Sequence, residues 1–151
     1  MKSKKLIMLG IVVITVVLAL TGCEKKTNKS YTFKVETGDE IQIKMDTTGG
    51  YNFTSELPIE FSKDDKVISY GTFGTESTYD IYYNKVKTDS RSNIIEEKDK
   101  ENIKYFFYEY DNSEYNYIIK IKNSKTCLIL GNNKSRASAH EIFERLDFDV
   151  K

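Results

Sequence analysis

Three apolar runs, Asn102 to Tyr110, Tyr115 to Lys122 and Thr126 to Leu130, are separated only by Asp111-Asn112-Ser113-Glu114 and by Asn123-Ser124-Lys125. Runs of this length, rich in Tyr, Phe and Ile and bounded by turn-forming residues, read as strands. Connections this short join antiparallel neighbours, because a parallel pair needs a crossover of a dozen residues or more. The segment therefore predicts a three-stranded antiparallel meander, and the rest of the chain must supply what covers it.

Upstream the hydrophobic period is also two. Tyr31, Phe33 and Val35 alternate with polar residues, Glu36-Thr37-Gly38-Asp39-Glu40 turns, and Ile41, Ile43 and Met45 alternate again, which predicts a hairpin. Ile59 and Phe61, Val67 to Thr72, and Tyr79 to Val86 read as further short strands, punctuated by Gly49-Gly50, Lys63-Asp64-Asp65 and Gly74. The segment from Thr72 to Glu101 also leaves room for a helix. The single proline, Pro58, falls in a loop or at the start of a strand.

At the end of the chain the period changes. Ala139, Ile142, Phe143 and Leu146 recur at i, i+3, i+4 and i+7, one face of a helix, with Ser138 or Ser135 as its N-cap. Phe148 and Val150 follow as a last contact or short strand. Sheet first and helix last predicts an α+β fold, an antiparallel sheet with a C-terminal helix packed on one face. Residues 31–151 have the length of one domain with one core. Lys66-Val67-Ile68-Ser69-Tyr70-Gly71 and Glu141-Ile142-Phe143-Glu144-Arg145-Leu146, in this order, faintly resemble the PsbP-like fold. Its members include photosystem subunits and binding proteins, so the resemblance implies a shape and no single enzyme class.

The N-terminus is of another kind. Lys2, Lys4 and Lys5 precede Leu6 to Leu20, fifteen apolar or small residues broken only by Thr15, and Glu24, Lys25 and Lys26 end the run. A basic start, a short apolar run and small residues after it are the layout of a secretory signal. A membrane-spanning helix usually needs roughly 20 apolar residues. Leu20-Thr21-Gly22-Cys23 resembles the bacterial lipoprotein lipobox at all four positions. That resemblance implies a diacylglyceryl thioether on Cys23 and cleavage before it, so that residues 1–22 are a signal peptide and Cys23 is the lipidated mature N-terminus. Two acyl chains hold a protein stably where one does not. Residues 23–30 then read as the lipidated cysteine and a polar tether. The membrane, through this lipid anchor, becomes the first partner, and the extracytoplasmic face of the cell membrane the location.

Lipid on Cys23 leaves Cys127 without a disulfide partner. In Thr126-Cys127-Leu128-Ile129-Leu130 it reads as a small hydrophobe in a strand. Removing Lys2, Lys4 and Lys5 from 23 basic residues leaves 20 against 23 acidic ones, with no basic stripe for nucleic acid.

Catalytic signals are thin. The one histidine, His140, excludes a multi-histidine metal motif and reads as a helix-surface residue. His140 and Glu144 are i, i+4 neighbours, but a zinc site needs further ligands. No nucleophile elbow and no phosphate-binding loop occurs. No cofactor and no metal is expected. Two carboxylates at a suitable spacing would suffice for a hydrolase, and 23 acidic residues offer too many pairs to choose among.

What remains is aromatic. Tyr105-Phe106-Phe107-Tyr108-Glu109-Tyr110 and Tyr115-Asn116-Tyr117 hold seven of nineteen aromatic residues, a density that serves either strand pairing or a binding surface. If Asn112-Ser113 is a two-residue turn, Tyr110 pairs with Tyr115, Tyr108 with Tyr117 and Phe106 with Ile119. Phe106, Tyr108, Tyr110, Tyr115, Tyr117, Ile119 and Ile121 then face the C-terminal helix. Tyr105, Phe107 and Asn116 fall on the other face as binding candidates. The expectation is a non-catalytic, lipid-anchored module that binds a protein or small ligand; the alternative is a small surface hydrolase using paired carboxylates. The chain is short for a two-lobed solute receptor.

Overall fold

The computed structural model describes residues 25–151; the expected signal peptide, residues 1–22, and Cys23 lie outside the described residues. The chain order is β1 (Asn28–Lys34), β2 (Glu40–Asp46), β3 (Tyr51–Phe53), β4 (Ile59–Lys63), β5 (Lys66–Thr75), α1 (Glu76–Thr88), β6 (Ser92–Asp99), β7 (Ile103–Tyr110), β8 (Glu114–Ile121), β9 (Thr126–Asn132), α2 (Arg136–Glu144) and β10 (Leu146–Val150). The fold is α+β, with every strand pair antiparallel and the C-terminal helix packed on one face.

Seven strands form the main sheet in the order β3-β4-β5-β9-β8-β7-β6, and three form a second sheet, β1-β2-β10. After β5 the chain crosses through α1 to the far edge at β6. It then returns as a meander whose last strand, β9, pairs with β5. Both faces of the main sheet are covered. On the inner face Phe53, Phe61, Tyr105, Phe107, Tyr117, Ile119, Leu128 and Leu130 pack against Ile41, Ile43 and Met45 of β2, Ile142 and Phe143 of α2, and Phe148 of β10. On the outer face Phe106, Tyr108, Ile118 and Cys127 pack against Tyr79 and Val86 of α1. Burial on both sides explains why β7 reads as a nearly unbroken apolar run.

The hairpin of β1 and β2 forms as its alternation predicts, with Phe33 opposite Ile41 and Tyr31 opposite Ile43. Strand β1 begins at Asn28, however, so the last three residues of the stretch expected as tether, Asn28-Lys29-Ser30, pair with Asp46, Met45 and Lys44. At a sheet edge, backbone pairing to β2 suffices even for polar side chains.

The segment Tyr79 to Val86 is helix α1 and not a strand. Its buried and half-buried residues, Tyr79, Tyr82, Tyr83 and Val86, stand at i, i+3, i+4 and i+7, the helical period, although Tyr and Val are also strand formers. Glu76 in the first turn and Lys85 and Lys87 in the last complement the helix dipole. Strand β6, not anticipated, is a charged edge strand with a bulge at Ile94–Glu96, held by its pairing to β7.

The meander forms, but in a different register. Asp111 and Asn112 have φ of 52° and 54°, and the Ser113 amide donates to the Tyr110 carbonyl at 3.1 Å. Tyr110 therefore lies opposite Glu114, Tyr108 opposite Asn116, Phe107 opposite Tyr117 and Tyr105 opposite Ile119. Asp and Asn tolerate the left-handed conformation that this turn demands at consecutive positions, and the connection is the three residues Asp111-Asn112-Ser113 instead of the two residues Asn112-Ser113. One residue of slip exchanges the faces of β7 relative to β8. Tyr117, Ile119 and Ile121 face α2 as expected, whereas Phe106 and Tyr108 face α1, and Tyr105 and Phe107 replace them beneath α2.

Candidate functional site

Helix α2 starts at Ser135, whose side chain accepts the Ser138 amide at 3.0 Å; Ser135, and not Ser138, is the N-cap. Ala139, Ile142 and Phe143 turn inward, which leaves Arg136, Ala137 and His140 exposed along the flank. This flank and the β6–β7 edge enclose a groove of about 560 Å³ lined by Ile95, Glu96, Phe107, Arg136, Ala137 and His140.

Beneath the groove runs a buried aromatic stack. Phe107 lies on Tyr117 with ring centroids 4.2 Å apart and planes within 10°, and Tyr117 lies on Phe143 at 4.1 Å and 9°. Tyr105 tilts onto Phe143 at 4.5 Å. Phe107 is thus the end of the stack that borders the groove. The hydroxyls of both buried tyrosines reach polar groups on the walls. Tyr105 donates to Glu96 Oε2 at 3.2 Å, and the Tyr117 hydroxyl lies 2.9 Å from His140 Nδ1. Burial raises the pKa of both phenols, so they stay protonated and serve as donors.

Glu96 also pairs with Lys98. The hydrogen bond from Lys98 chiefly holds the Glu96 carboxyl below its usual range, with Tyr105 and His140 adding to it against a smaller cost of desolvation. Arg136 makes no ion pair among the described residues. The groove accordingly presents one compensated carboxylate, one imidazole and one free guanidinium over an apolar floor, a set suited to orienting a small ligand with a flat apolar part and a polar end.

The three residues expected to form a binding surface are not brought together. Tyr105 and Phe107 are 0% and 2% exposed, core residues of the inner face, because the register places them under α2. Phe107 still touches the groove at its edge. Asn116 is half-buried on the opposite face, across from Tyr108. Cys23 lies outside the described residues. His140 is exposed as expected, but it holds Tyr117 and lines the groove. Among the described residues no three His, Cys, Asp or Glu side chains stand close enough to hold a metal ion, so His140 and Glu144 gain no further ligand. Cys127 is free and buried in β9, and burial pushes its thiol up to about 12, so it is unreactive at neutral pH.

Arg136, Glu96 and Ile95 were not singled out from the sequence. Arg136 and His140 at i, i+4 were a readable signal for one helix flank; Glu96 was one acidic residue among many, and its place opposite α2 comes from the pairing of β6. Among the described residues no helix is long and apolar enough to cross a membrane. No protein-family model matches the chain, and no curated protein and no solved structure matches it.

Proposed function

We propose that this chain is a membrane-anchored extracytoplasmic lipoprotein whose α+β domain is a non-catalytic binding module, with the groove between β6 and α2 as its ligand site. The anchor rests on Leu20-Thr21-Gly22-Cys23 behind a basic start and a short apolar run. The binding role rests on the groove itself: Arg136, which makes no ion pair among the described residues, and a Tyr117-tethered His140 beside Ile95, Ala137 and the edge of Phe107. The PsbP-like likeness enters only as an expectation of shape; Lys66 to Gly71 is the first part of β5, and Glu141 to Leu146 runs from α2 into β10.

The carboxyls favour binding over hydrolysis. Asp39, Asp46, Asp89, Glu96 and Asp99 all have lowered pKa values, each with hydrogen bonding as the largest cause. A general acid near neutral pH needs the opposite shift.

Two measurements test the proposal. Intact-mass analysis of protein recovered from its own membrane should show lipid on Cys23, and Cys23→Ser should abolish both the added mass and the membrane association; an unmodified N-terminus elsewhere would reject the anchor. Native mass spectrometry of the same material should show a bound small molecule that Arg136→Gln weakens. A ligand retained equally by Arg136→Gln and His140→Gln would place binding outside the groove.

A further inference from the structure

The anchored end of the domain is built close to the lipid. Thr27 is already fixed: its carbonyl accepts the Thr47 amide at 2.9 Å, its amide donates to Thr48 Oγ1 at 3.0 Å, and its hydroxyl accepts from Thr47 Oγ1 at 2.9 Å. Only Glu24, Lys25 and Lys26 separate Cys23 from that point. The four steps from Cys23 to Thr27 span about 14 Å even when fully extended. Whatever is bound to Thr27 must therefore lie near the bilayer surface if Cys23 is in it.

What is bound to Thr27 is a connected surface. The turn after β2 is held by Arg145, whose Nη1 donates to the carbonyls of Thr48 at 3.0 Å and Asp46 at 3.3 Å. The next residues join the β4–β5 turn, where the Asp64 amide donates to the Gly50 carbonyl at 2.9 Å. Gly50 has φ of +84°, a left-handed conformation that favours glycine, and a Cβ there would push the Asp64 carboxylate aside. Tyr51 follows, with the Arg145 guanidinium 3.7 Å and the Lys63 ammonium 5.0 Å from its ring centre.

Lys25, Lys26, Lys63, Lys66 and Arg145 stand on this end of the molecule. Acidic groups balance them: Glu24 next to Lys25 in sequence, Asp46 engaged by Arg145 at 3.8 Å, Asp64 and Asp65 in the turn, and Glu141, which accepts from the Tyr51 hydroxyl at 2.5 Å.

On this geometry, and resting on the anchored reading above, we infer that the surface made by the β2–β3 and β4–β5 turns is a membrane-apposed face, held by the short tether against the phospholipid headgroups around Cys23. The tether sets this proximity, and Lys25 and Lys26 within it are the cations nearest to any anionic headgroups. The β1–β2 turn at Val35–Asp39 is carried away from this face by the length of β1, about 20 Å for its seven residues.

Lipidated protein is reconstituted into phosphatidylglycerol-containing vesicles with a nitroxide on a fraction of the headgroups. Single cysteines introduced by Lys66→Cys or Glu36→Cys carry a fluorophore; buried Cys127 stays unlabelled. Quenching should be several-fold stronger at position 66 than at position 36. Equal quenching, or stronger quenching at 36, in protein that floats with the vesicles would overturn the docked orientation and leave the anchor intact. Protein that fails to float would reject the anchored reading and this inference with it.

Discussion

Tyr117 lies face to face on Phe143, ring centroids 4.1 Å apart and planes within 9°, so the central strand of the meander and the C-terminal helix share one aromatic column. Phe107 extends that column on the other side of Tyr117. The register of β7 against β8 therefore decides which aromatics support α2 and which support α1.

Core substitutions report that register directly. Tyr105 and Phe106 are both fully buried, one on each face. Truncating a buried large aromatic costs roughly 3 to 5 kcal/mol, so Tyr105→Ala and Phe106→Ala should destabilise the domain to a similar extent. Chemical denaturation of the two variants checks this. A near-neutral Tyr105→Ala would restore the register that puts Tyr105 at the surface.

The N-cap of α2 is a separable contribution. Ser135 accepts the Ser138 amide, and the first turn holds no acidic residue. Ser135→Ala should cost about 1 kcal/mol, and Ser135→Asp should recover it. Thermal or urea unfolding of the pair decides between this cap and one at Ser138, for which Ser135→Ala would be silent.

Acid sensitivity should concentrate at Asp39. Its carboxylate ties the β1–β2 turn to β9, accepting from the Thr126 hydroxyl and the Lys125 amide, each at 2.7 Å, and from the Thr37 hydroxyl at 3.1 Å. These bonds, that of Thr126 foremost, lower its pKa from the ordinary 3.8. A carboxyl with a lowered folded-state pKa stabilises the fold above its unfolded value and loses that contribution as pH falls through the folded one. The stability gap between wild type and Asp39→Asn should therefore be constant above about pH 5 and narrow as the pH drops below the ordinary value. A gap independent of pH down to 2 would mean that the ionised carboxylate contributes nothing.

His140 should separate binding from folding. It is exposed and makes one hydrogen bond, to Tyr117, so His140→Gln should change stability by about 1 kcal/mol or less. The same change should weaken any groove ligand measurably. Large destabilisation with unchanged ligand retention would make His140 a purely structural residue.

Period-two alternation made β1 and β2 legible in the chain and the i, i+3, i+4, i+7 pattern made α2 legible, because each of these elements buries one side and writes it into its residue order, while the meander was legible as apolar runs bounded by turn-forming residues. The lipobox-like Leu20-Thr21-Gly22-Cys23 is likewise a local pattern. Helix α1 was misread although Tyr79, Tyr82, Tyr83 and Val86 carry its period, since aromatic and β-branched residues also favour strands. Strand β6 has almost no apolar signature; it exists because β7 offers it an edge. The pairing of β5 with β9 across more than fifty residues, the choice of a three-residue over a two-residue connection at Asp111-Asn112-Ser113, and the meeting of Arg136 and His140 with Glu96 all depend on contacts between segments distant in sequence. Local order dictates which side of a strand is apolar, but the aromatics of β7 are apolar on both sides, so only the covering helices and the left-handed turn determine which side faces which partner.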